Sequence, residues 1–338
     1  MKITNQAILG FIYSSNSSRE NYNNFSRCNL ERVPMQDCIS FSSRNKTHKT
    51  REKVLPENVQ AAVKFSDKIY ELAKDGHINL ETVADLIHSY DSEIDVKSKE
   101  DLAKLIPDAQ NYTAFFRGTM ADDFSSTDKQ MFLDIPQKNS EEDIISFAMN
   151  SAHEFTHAHP AQNERTFEFL KRVSRGNSYD AKVFMTIGEQ LFKYFDTEVQ
   201  AMASLGVFNN PLDISSLVEH RMVLPRAEEV SKGDILKSLH VKDEKEFKSQ
   251  VLNKFNSDFD NFIAYASKDK NFYETMPYKN NLNKLASIVK SYCAYKALDE
   301  YEAYTTESVV GKKLCNIEGS ANIDVLPMYY QMLGKAFS

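Results

Sequence analysis

Apolar side chains recur at helical spacing over two segments that follow Pro56. The first segment ends near Gly76, and the second extends from about Leu80 to Tyr90. Spacings of three and four residues place such side chains on one face of a helix. The faces predicted in this way carry Val59, Val63, Ile69, Leu72 and Ala73 in the first segment and Val83, Leu86 and Ile87 in the second. The pattern predicts a helical cap over residues 54–110.

The next part of the chain has the pattern of short strands followed by one well-marked helix. Residues 112–116 and 130–135 are rich in apolar and aromatic positions of the kind that predicts strands. Ser140 is a suitable N-cap for the helix that follows, with Asp143 at the position of a capping-box acid. We predict that this helix ends at Pro160. Its apolar stripe consists of Ile144, Ile145, Ala148, Ala152 and Phe155.

The remainder of the chain is predicted to be mostly helical. Residues 163–208 form one helical stretch with a break at 176–178, and the last strong helix extends from about Leu282 to Val310. Gly311 is a plausible stop for that helix because glycine favours helix ends. Together these patterns predict an α+β fold that is mainly helical, with a small mixed sheet and added helices.

Residues 1–53 have a different composition from the rest of the chain. They are rich in Ser, Asn and Arg and carry little apolar periodicity, so we predict a disordered N-terminal leader or tail. One interpretation is a secretion leader of the type that injected bacterial effectors carry, and the other is a floppy tail without a role. The apolar run at residues 7–13 is at the short limit for a signal peptide, and no A-x-A cleavage site follows it.

Composition narrows the class of protein. The chain has 338 residues, 41% of them hydrophobic and 26% charged, which is ordinary for a soluble globular protein. The net charge of −7 disfavours a general nucleic-acid binder. No apolar run approaches the ~18 residues that a membrane span needs. The four cysteines form no CxxC pair, so a cysteine zinc site is not indicated. Two of them lie near each end of the chain, which is unlike a disulfide scaffold and favours reduced thiols and a cytosolic working environment.

The segment His153-Glu154-Phe155-Thr156-His157 lies near the end of the capped helix. Residues four apart lie about 40° apart around a helix axis, so both histidines can bind one metal ion. Glu154 is rotated by about 100° from His153, where it can take a proton from a water that zinc activates. The alternative interpretation is a non-enzymatic helical binding or scaffold protein in which the HExxH pattern is accidental, with the two histidines packed on a helix, or inactive.

These residues match the HExxH signature of the zincin metallopeptidases, and the order of strand and helix resembles that fold over residues 110–208. The resemblance implies that His153 and His157 bind one Zn²⁺ ion and that Glu154 is the general base. The third histidine and the glycine of the metzincin branch are absent after His157. The resemblance therefore points to the gluzincin branch, in which a glutamate on a following helix is the third ligand.

Two clusters offer such a glutamate. Glu198 lies 41 residues beyond His157, and with Ala201 it resembles the ExxA pattern of gluzincin ligand helices, at a spacing similar to that of toxin-type members. The alternative donors are Glu300 and Glu302, about 145 residues away. We take Glu198 as the preferred ligand and keep the second cluster open.

Other histidines and tyrosines are weaker candidates for supporting the ligands or stabilising the oxyanion. His159 faces away from the histidine pair and is expected to lie at the surface or behind the ligands. His220 and Tyr194 are candidates for stabilising the oxyanion, and Tyr301 and Tyr304 replace them if the second cluster forms the site. For each of these, an ordinary structural role is the favoured alternative.

The resemblance predicts a zincin-like catalytic domain over residues 111–338 with a C-terminal helical extension. The expected activity is that of a zinc-dependent endopeptidase acting on a protein or peptide substrate, with a host protein as one candidate. The expected location is secreted, with delivery into a host cytosol, and the alternative is cytoplasmic.

Overall fold

A small sheet and a set of helices packed on it make up the part of the chain that the structure describes. The structure is a computed structural model that describes residues 55–105, 114–136, 140–204, 231–317 and 322–338, with the backbone alone for residues 196–204, 238 and 322. All of these residues fall within one compact unit, Met35–Ser338. The predicted leader over residues 1–53 lies outside them, so secretion stays a prediction.

The elements follow one another in a helix-rich order. In the N-terminal half they are α1 (Glu57–Lys74), α2 (Leu80–His88), β1 (Asp95–Ser98), α3 (Lys99–Leu105), β2 (Ala114–Met120), β3 (Ser126–Leu133), α4 (Glu141–Ala158), α5 (Pro160–Val173) and α6 (Ser178–Ser204). After them come α7 (Lys232–Ser238), α8 (Glu244–Ala266), α9 (Lys270–Thr275), α10 (Leu282–Cys315), a 3₁₀ turn (Asn322–Asp324) and α11 (Val325–Phe337). The prediction of a mainly helical α+β chain with a small mixed sheet is confirmed.

The three described strands have the order β1-β3-β2. Strand β1 pairs parallel to β3, whereas β2 pairs antiparallel to β3 with Phe116 opposite Met131. Strand β2 is therefore an edge strand of the described sheet. Strand β1 was not predicted, because the sequence Asp95–Ser98 is short and polar. It brings part of the predicted cap, residues 54–110, into the same sheet as β2 and β3.

Helix α1 packs directly on α4, the helix that carries the histidine motif. The Phe65 ring stacks on the Phe155 ring, with centroids 4.3 Å apart, and Tyr90 contacts both rings edge-on. The predicted stripe of α4 is confirmed, since Ile144, Ile145, Ala148, Ala152 and Phe155 are all buried. Each of the buried isoleucine and phenylalanine side chains contributes about 1.5–3 kcal/mol to folding, so the stripe fixes α4 firmly.

Both ends of α4 were predicted from local signals. The Ser140 hydroxyl accepts a hydrogen bond from the Asp143 backbone N–H at 3.1 Å, and it donates to the Asp143 carboxylate at 2.6 Å. Helix α4 ends at Ala158, and Pro160 occupies the first turn of α5, where a missing N–H costs little. The motif thus lies in the last turns of a capped helix.

The long helix α10 packs against α4, α6 and α11. It continues through Gly311 to Cys315, so the prediction that Gly311 ends this helix was wrong. The reason is packing: a Cβ at position 311 would lie 2.6 Å from Ile323 Cδ1 and 3.0 Å from Met149 Sδ. Glycine here lets α10 approach α4 closely. The predicted break at 176–178 is confirmed, because α5 ends at Val173 and α6 begins at Ser178.

Apart from the core between α1, the sheet and α4, helices α6 to α11 share another hydrophobic core that is rich in aromatic rings. Tyr292 and Tyr330 are among its largest fully buried side chains. Among the helices that the structure describes, none is both long enough and apolar enough to cross a membrane.

Candidate metal centre

Helix α4 presents the two histidines of the motif side by side. Their Nε2 atoms are 3.3 Å apart, and their rings meet edge-on with centroids at 5.0 Å. His153 is buried, with 9% of its surface exposed. Between them in sequence, the hydroxyl of Thr156 is fully buried and lies 2.8 Å from the hydroxyl of Thr306 on α10. This contact fixes the motif against α10.

Glu300 of α10 brings a carboxylate to the histidine pair. Its Oε2 atom lies 3.7 Å from Nε2 of His157 and 4.0 Å from Nε2 of His153. One donor atom from each residue lies within 4.8 Å of the other two. Zinc with ligands at about 2.0–2.1 Å in tetrahedral geometry needs its donors about 3.3 Å apart. The three donors therefore fit a zinc ion after shifts of well under 1 Å.

Glu302, the other carboxylate of that cluster, has different partners. Arg165 donates to both of its oxygens, at 2.8 and 2.5 Å, and Asn58 donates to it at 2.6 Å. Residues two apart lie about 200° apart around a helix, which explains why Glu302 points away from the histidines when Glu300 points toward them. Of the two alternatives in the second cluster, the structure brings Glu300 to the site and pairs the buried Glu302 with the partly exposed Arg165.

Two other predicted residues lie where the structure says nothing of their side chains. Glu198 lies on α6, but its side chain is outside the described residues, so its role as third ligand stays a prediction. His220 lies outside the described residues altogether.

Glu307 also lies at this site, although it was not among the residues predicted from the sequence. Its Oε2 atom lies 3.0 Å from Nδ1 of His153, and Glu307 is 5% exposed. It follows Glu300 by seven residues, or about two helical turns, so the two carboxylates share one face of α10. Tyr304 lies between them on that face, and its ring meets the His153 ring edge-on at 4.5 Å. The seven-residue spacing was visible in the sequence, but its meaning depended on knowing which face of α10 meets α4.

The two histidines have opposite electrostatic environments. Burial lowers the pKa of His157 well below its ordinary 6.5, and the charge of His153 adds to this effect. Burial also acts to lower the pKa of His153. However, the hydrogen bond with Glu307 and the charges of Glu154, Glu307 and Glu300 raise the pKa of His153 to about 9. Without a metal, His153 is therefore the charged histidine and His157 the neutral one at pH 7.

Glu154 lies against the edge strand. The backbone N–H of Phe116 in β2 donates a hydrogen bond to Glu154 Oε2 at 2.7 Å. Burial raises the pKa of Glu154, while the charge of His153 and this hydrogen bond act to lower it. A desolvated carboxylate of this kind takes up a proton more readily than an exposed one.

A polar network also approaches His157. The side-chain nitrogen of Gln162 lies 3.5 Å from Nδ1 of His157, and its oxygen accepts a hydrogen bond from Asn58 at 2.5 Å. Asn58 also binds Glu302, so helices α1, α5 and α10 meet beside this histidine. His159 is the N-cap of α5, where its Nδ1 accepts a hydrogen bond from Ala161 N–H.

The three tyrosines proposed for the oxyanion lie in different surroundings. Tyr194 is 41% exposed and carries the Lys254 ammonium 3.6 Å from its ring centre. Tyr301 packs against the aromatic core of the C-terminal helices. Tyr304 stacks on Tyr330 with centroids 5.2 Å apart and also contacts His153. Tyr304 thus lies against a histidine of the motif.

Comparison of the chain with protein-family models, with curated proteins and with solved structures finds no match.

Proposed function

We propose that this chain is a zinc-dependent endopeptidase with a zincin-like core, in which His153, His157 and Glu300 hold the metal and Glu154 is the general base. The observation that carries the proposal is the meeting of these three donors beside a buried glutamate. Three protein donors leave one position of a tetrahedral ion for water or substrate, which is typical of catalytic rather than structural zinc.

The donor set suits zinc, which accepts both imidazole and carboxylate ligands. Two histidines and one carboxylate also suit non-haem iron, and the neighbouring base Glu154 is what favours hydrolysis. A zinc ion at these donors would supply a Lewis acid that lowers the pKa of a water toward ~7 and polarises a carbonyl.

Glu154 has the chemistry and position of the proton carrier. One of its oxygens is bound to the Phe116 amide, and the other can take a proton from a water that attacks the peptide carbonyl. The same carboxyl group then donates this proton to the leaving amine. Because burial raises its pKa, the carboxylate is a stronger base than an exposed glutamate.

The second ring nitrogen of His153 is held by a carboxylate of α10. Glu307 accepts a hydrogen bond from Nδ1 of His153, which leaves Nε2 for the metal. Such a carboxylate both selects the tautomer and strengthens the imidazole as a ligand. The Arg165–Glu302 ion pair joins α10 to α5 behind the site.

The edge strand supports a polypeptide as the substrate. In the described sheet, β2 has a neighbouring strand on one side, and its Phe116 amide lies beside Glu154. An extended peptide can add to such an edge through backbone hydrogen bonds. The proposal that the substrate is a host protein rests on the N-terminal segment alone.

Metal content and hydrolysis, measured together, test the proposal. Purified wild type should contain stoichiometric zinc by elemental mass spectrometry, whereas His153→Ala and Glu300→Gln should lose it. Glu154→Gln should keep zinc and lose hydrolysis. New protein N-termini in a lysate treated with wild type, and absent with Glu154→Gln, would identify the substrate.

Other results of the same experiment separate the alternatives. Stoichiometric iron in place of zinc would contradict a peptidase. Zinc loss in Glu198→Gln with zinc retained in Glu300→Gln would assign the third ligand to Glu198. If wild type binds no metal and the histidine variants lose only stability, the chain is a binding or scaffold protein with an accidental motif.

A further inference from the structure

We propose that the backbone amide of Phe116 is a positioning group for the general base, so that edge strand β2 sets the orientation of the Glu154 carboxylate. This inference rests on the proposed function. It adds a functional group that belongs to the main chain of β2 and not to the HExxH motif.

The amide of Phe116 donates its hydrogen bond to Glu154 and takes no part in the pairing of β2 with β3. The donor–acceptor distance of 2.7 Å is typical of a bond to an ionised acceptor. In the antiparallel pair, Phe116 faces Met131 of β3. Its N–H points to Glu154 on α4, so this bond lies outside the β2–β3 ladder.

A restraint is needed because Glu154 has a flexible side chain. The helix fixes the Cα–Cβ direction, but three further torsions decide where the carboxylate lies. Binding one oxygen, Oε2, leaves Oε1 as the oxygen that accepts the proton. A carboxylate held in this way is in place before substrate arrives, and preorganisation of that kind increases the rate of the chemical step.

The competing interpretation is that the hydrogen bond only ties β2 to α4. Both interpretations predict some loss of stability when the N–H is removed. They differ in the kinetics: positioning of the base affects kcat, whereas loosening of the site also lowers zinc content and raises KM.

The sharpest test replaces the amide by an ester. Phe116→phenyllactic acid, introduced by nonsense suppression, removes the N–H and keeps the ring. In the full chain loaded with zinc, kcat should fall about 10- to 100-fold, which is part of the 10²–10⁴-fold contribution of a general base. Zinc content and KM should stay within about twofold of wild type, because Phe116 is not a ligand.

A proline variant gives the same comparison by ordinary mutagenesis. Proline is tolerated on edge strands where the N–H points out of the ladder. Phe116→Pro removes the N–H and the ring, and Phe116→Ala removes the ring only, so the ratio of their kcat values isolates the amide. In a Glu154→Gln background the ester should change residual hydrolysis by less than about twofold, because the amide would act through Glu154.

Each outcome decides the question. An ester variant with wild-type kcat overturns the inference and leaves the peptidase proposal intact. An ester that lowers kcat only in proportion to lost zinc shows that the bond is structural and also overturns it. If wild type itself hydrolyses no peptide, the proposed function fails, and the inference fails with it.

Discussion

Glu307 of α10 and His153 of α4 form a buried contact across 154 residues of sequence, with Oε2 of Glu307 3.0 Å from Nδ1 of His153. Such a carboxylate behind a ligating histidine orients the ring and increases its affinity for metal. The relationship makes Glu307 part of the proposed site even though its carboxylate is bound to the far side of the imidazole.

We expect Glu307→Gln to weaken zinc binding about 10- to 100-fold, as is usual when such a carboxylate is lost. The amide oxygen can still accept from Nδ1, but the negative charge is gone. Competition with a chromophoric chelator measures the change. Glu189→Gln is the control, because the exposed carboxylate of Glu189 accepts its hydrogen bond from Tyr292 rather than from a histidine of the motif. Equal zinc affinity in the two variants would contradict the role of Glu307.

Glu300 and Glu302 should respond in opposite ways to the same substitution. Glu300→Gln removes a proposed ligand and should abolish stoichiometric zinc with little effect on the metal-free fold. Glu302→Ala leaves Arg165 and Asn58 without this partner and should cost about 1–3 kcal/mol, less than for a fully buried pair because the Arg165 side chain is 37% exposed. Zinc titration and urea unfolding separate the two effects. Zinc loss in a folded Glu302→Ala protein would contradict the assignment.

Much of helix α4 could be predicted because its signals are local. The Ser140 cap, the apolar stripe and Pro160 all lie within or next to one helix, so periodicity and capping identified it. Strand β1 could not be predicted, since Asp95–Ser98 has little apolar pattern and is a strand only because β3 is beside it. The mixed sheet was predicted, but its third strand was not.

The histidines of the candidate site could be predicted from the sequence, but which carboxylates approach them could not. The histidine pair is one helical turn apart, so a local rule placed its members together. The carboxylates of α10 reach the pair through the packing of α10 on α4, and no local pattern states which of Glu300, Glu302 and Glu307 faces inward. Gly311 could not be interpreted locally for the same reason. Its missing side chain makes room for Met149 and Ile323, and it does not end the helix.

We expect Gly311→Ala to destabilise the protein by about 1–3 kcal/mol, the usual cost of overpacking a core. The added methyl would press on Ile323 and Met149, and this outweighs the gain in helix propensity of about 1 kcal/mol. Urea unfolding at constant pH measures the change. Gly233→Ala in α7 is the control: its Cβ would meet only Ser231 Oγ at 3.5 Å, so it should be neutral or stabilising.

The stability of the metal-free protein should fall as the pH rises from about 6.5 to 9. Burial acts to lower the pKa of His153, but Glu307 and the neighbouring carboxylates raise it to about 9, above the unfolded value of about 6.5. A raised pKa contributes stability that is fully present below the unfolded pKa and is lost as the pH passes the folded pKa. His157, whose pKa is lowered, is neutral in the folded protein over this range, and its unfolded form is half protonated at pH 6.5, so it opposes the loss only slightly near the lower end of the range.

Denaturation of chelator-treated protein at pH 6.5 and pH 9 measures this loss, which should be on the order of 2 kcal/mol, since one pKa unit corresponds to about 1.4 kcal/mol. Zinc affinity should rise over the same interval, because the ion must displace the proton from Nε2 of His153. His153→Gln and Glu307→Gln should each reduce the pH dependence of stability, and what remains includes the buried carboxyl of Asp299, whose pKa burial raises to about 7. A wild-type stability that stays level from pH 6.5 to 9 would show that His153 is neutral in the folded metal-free protein.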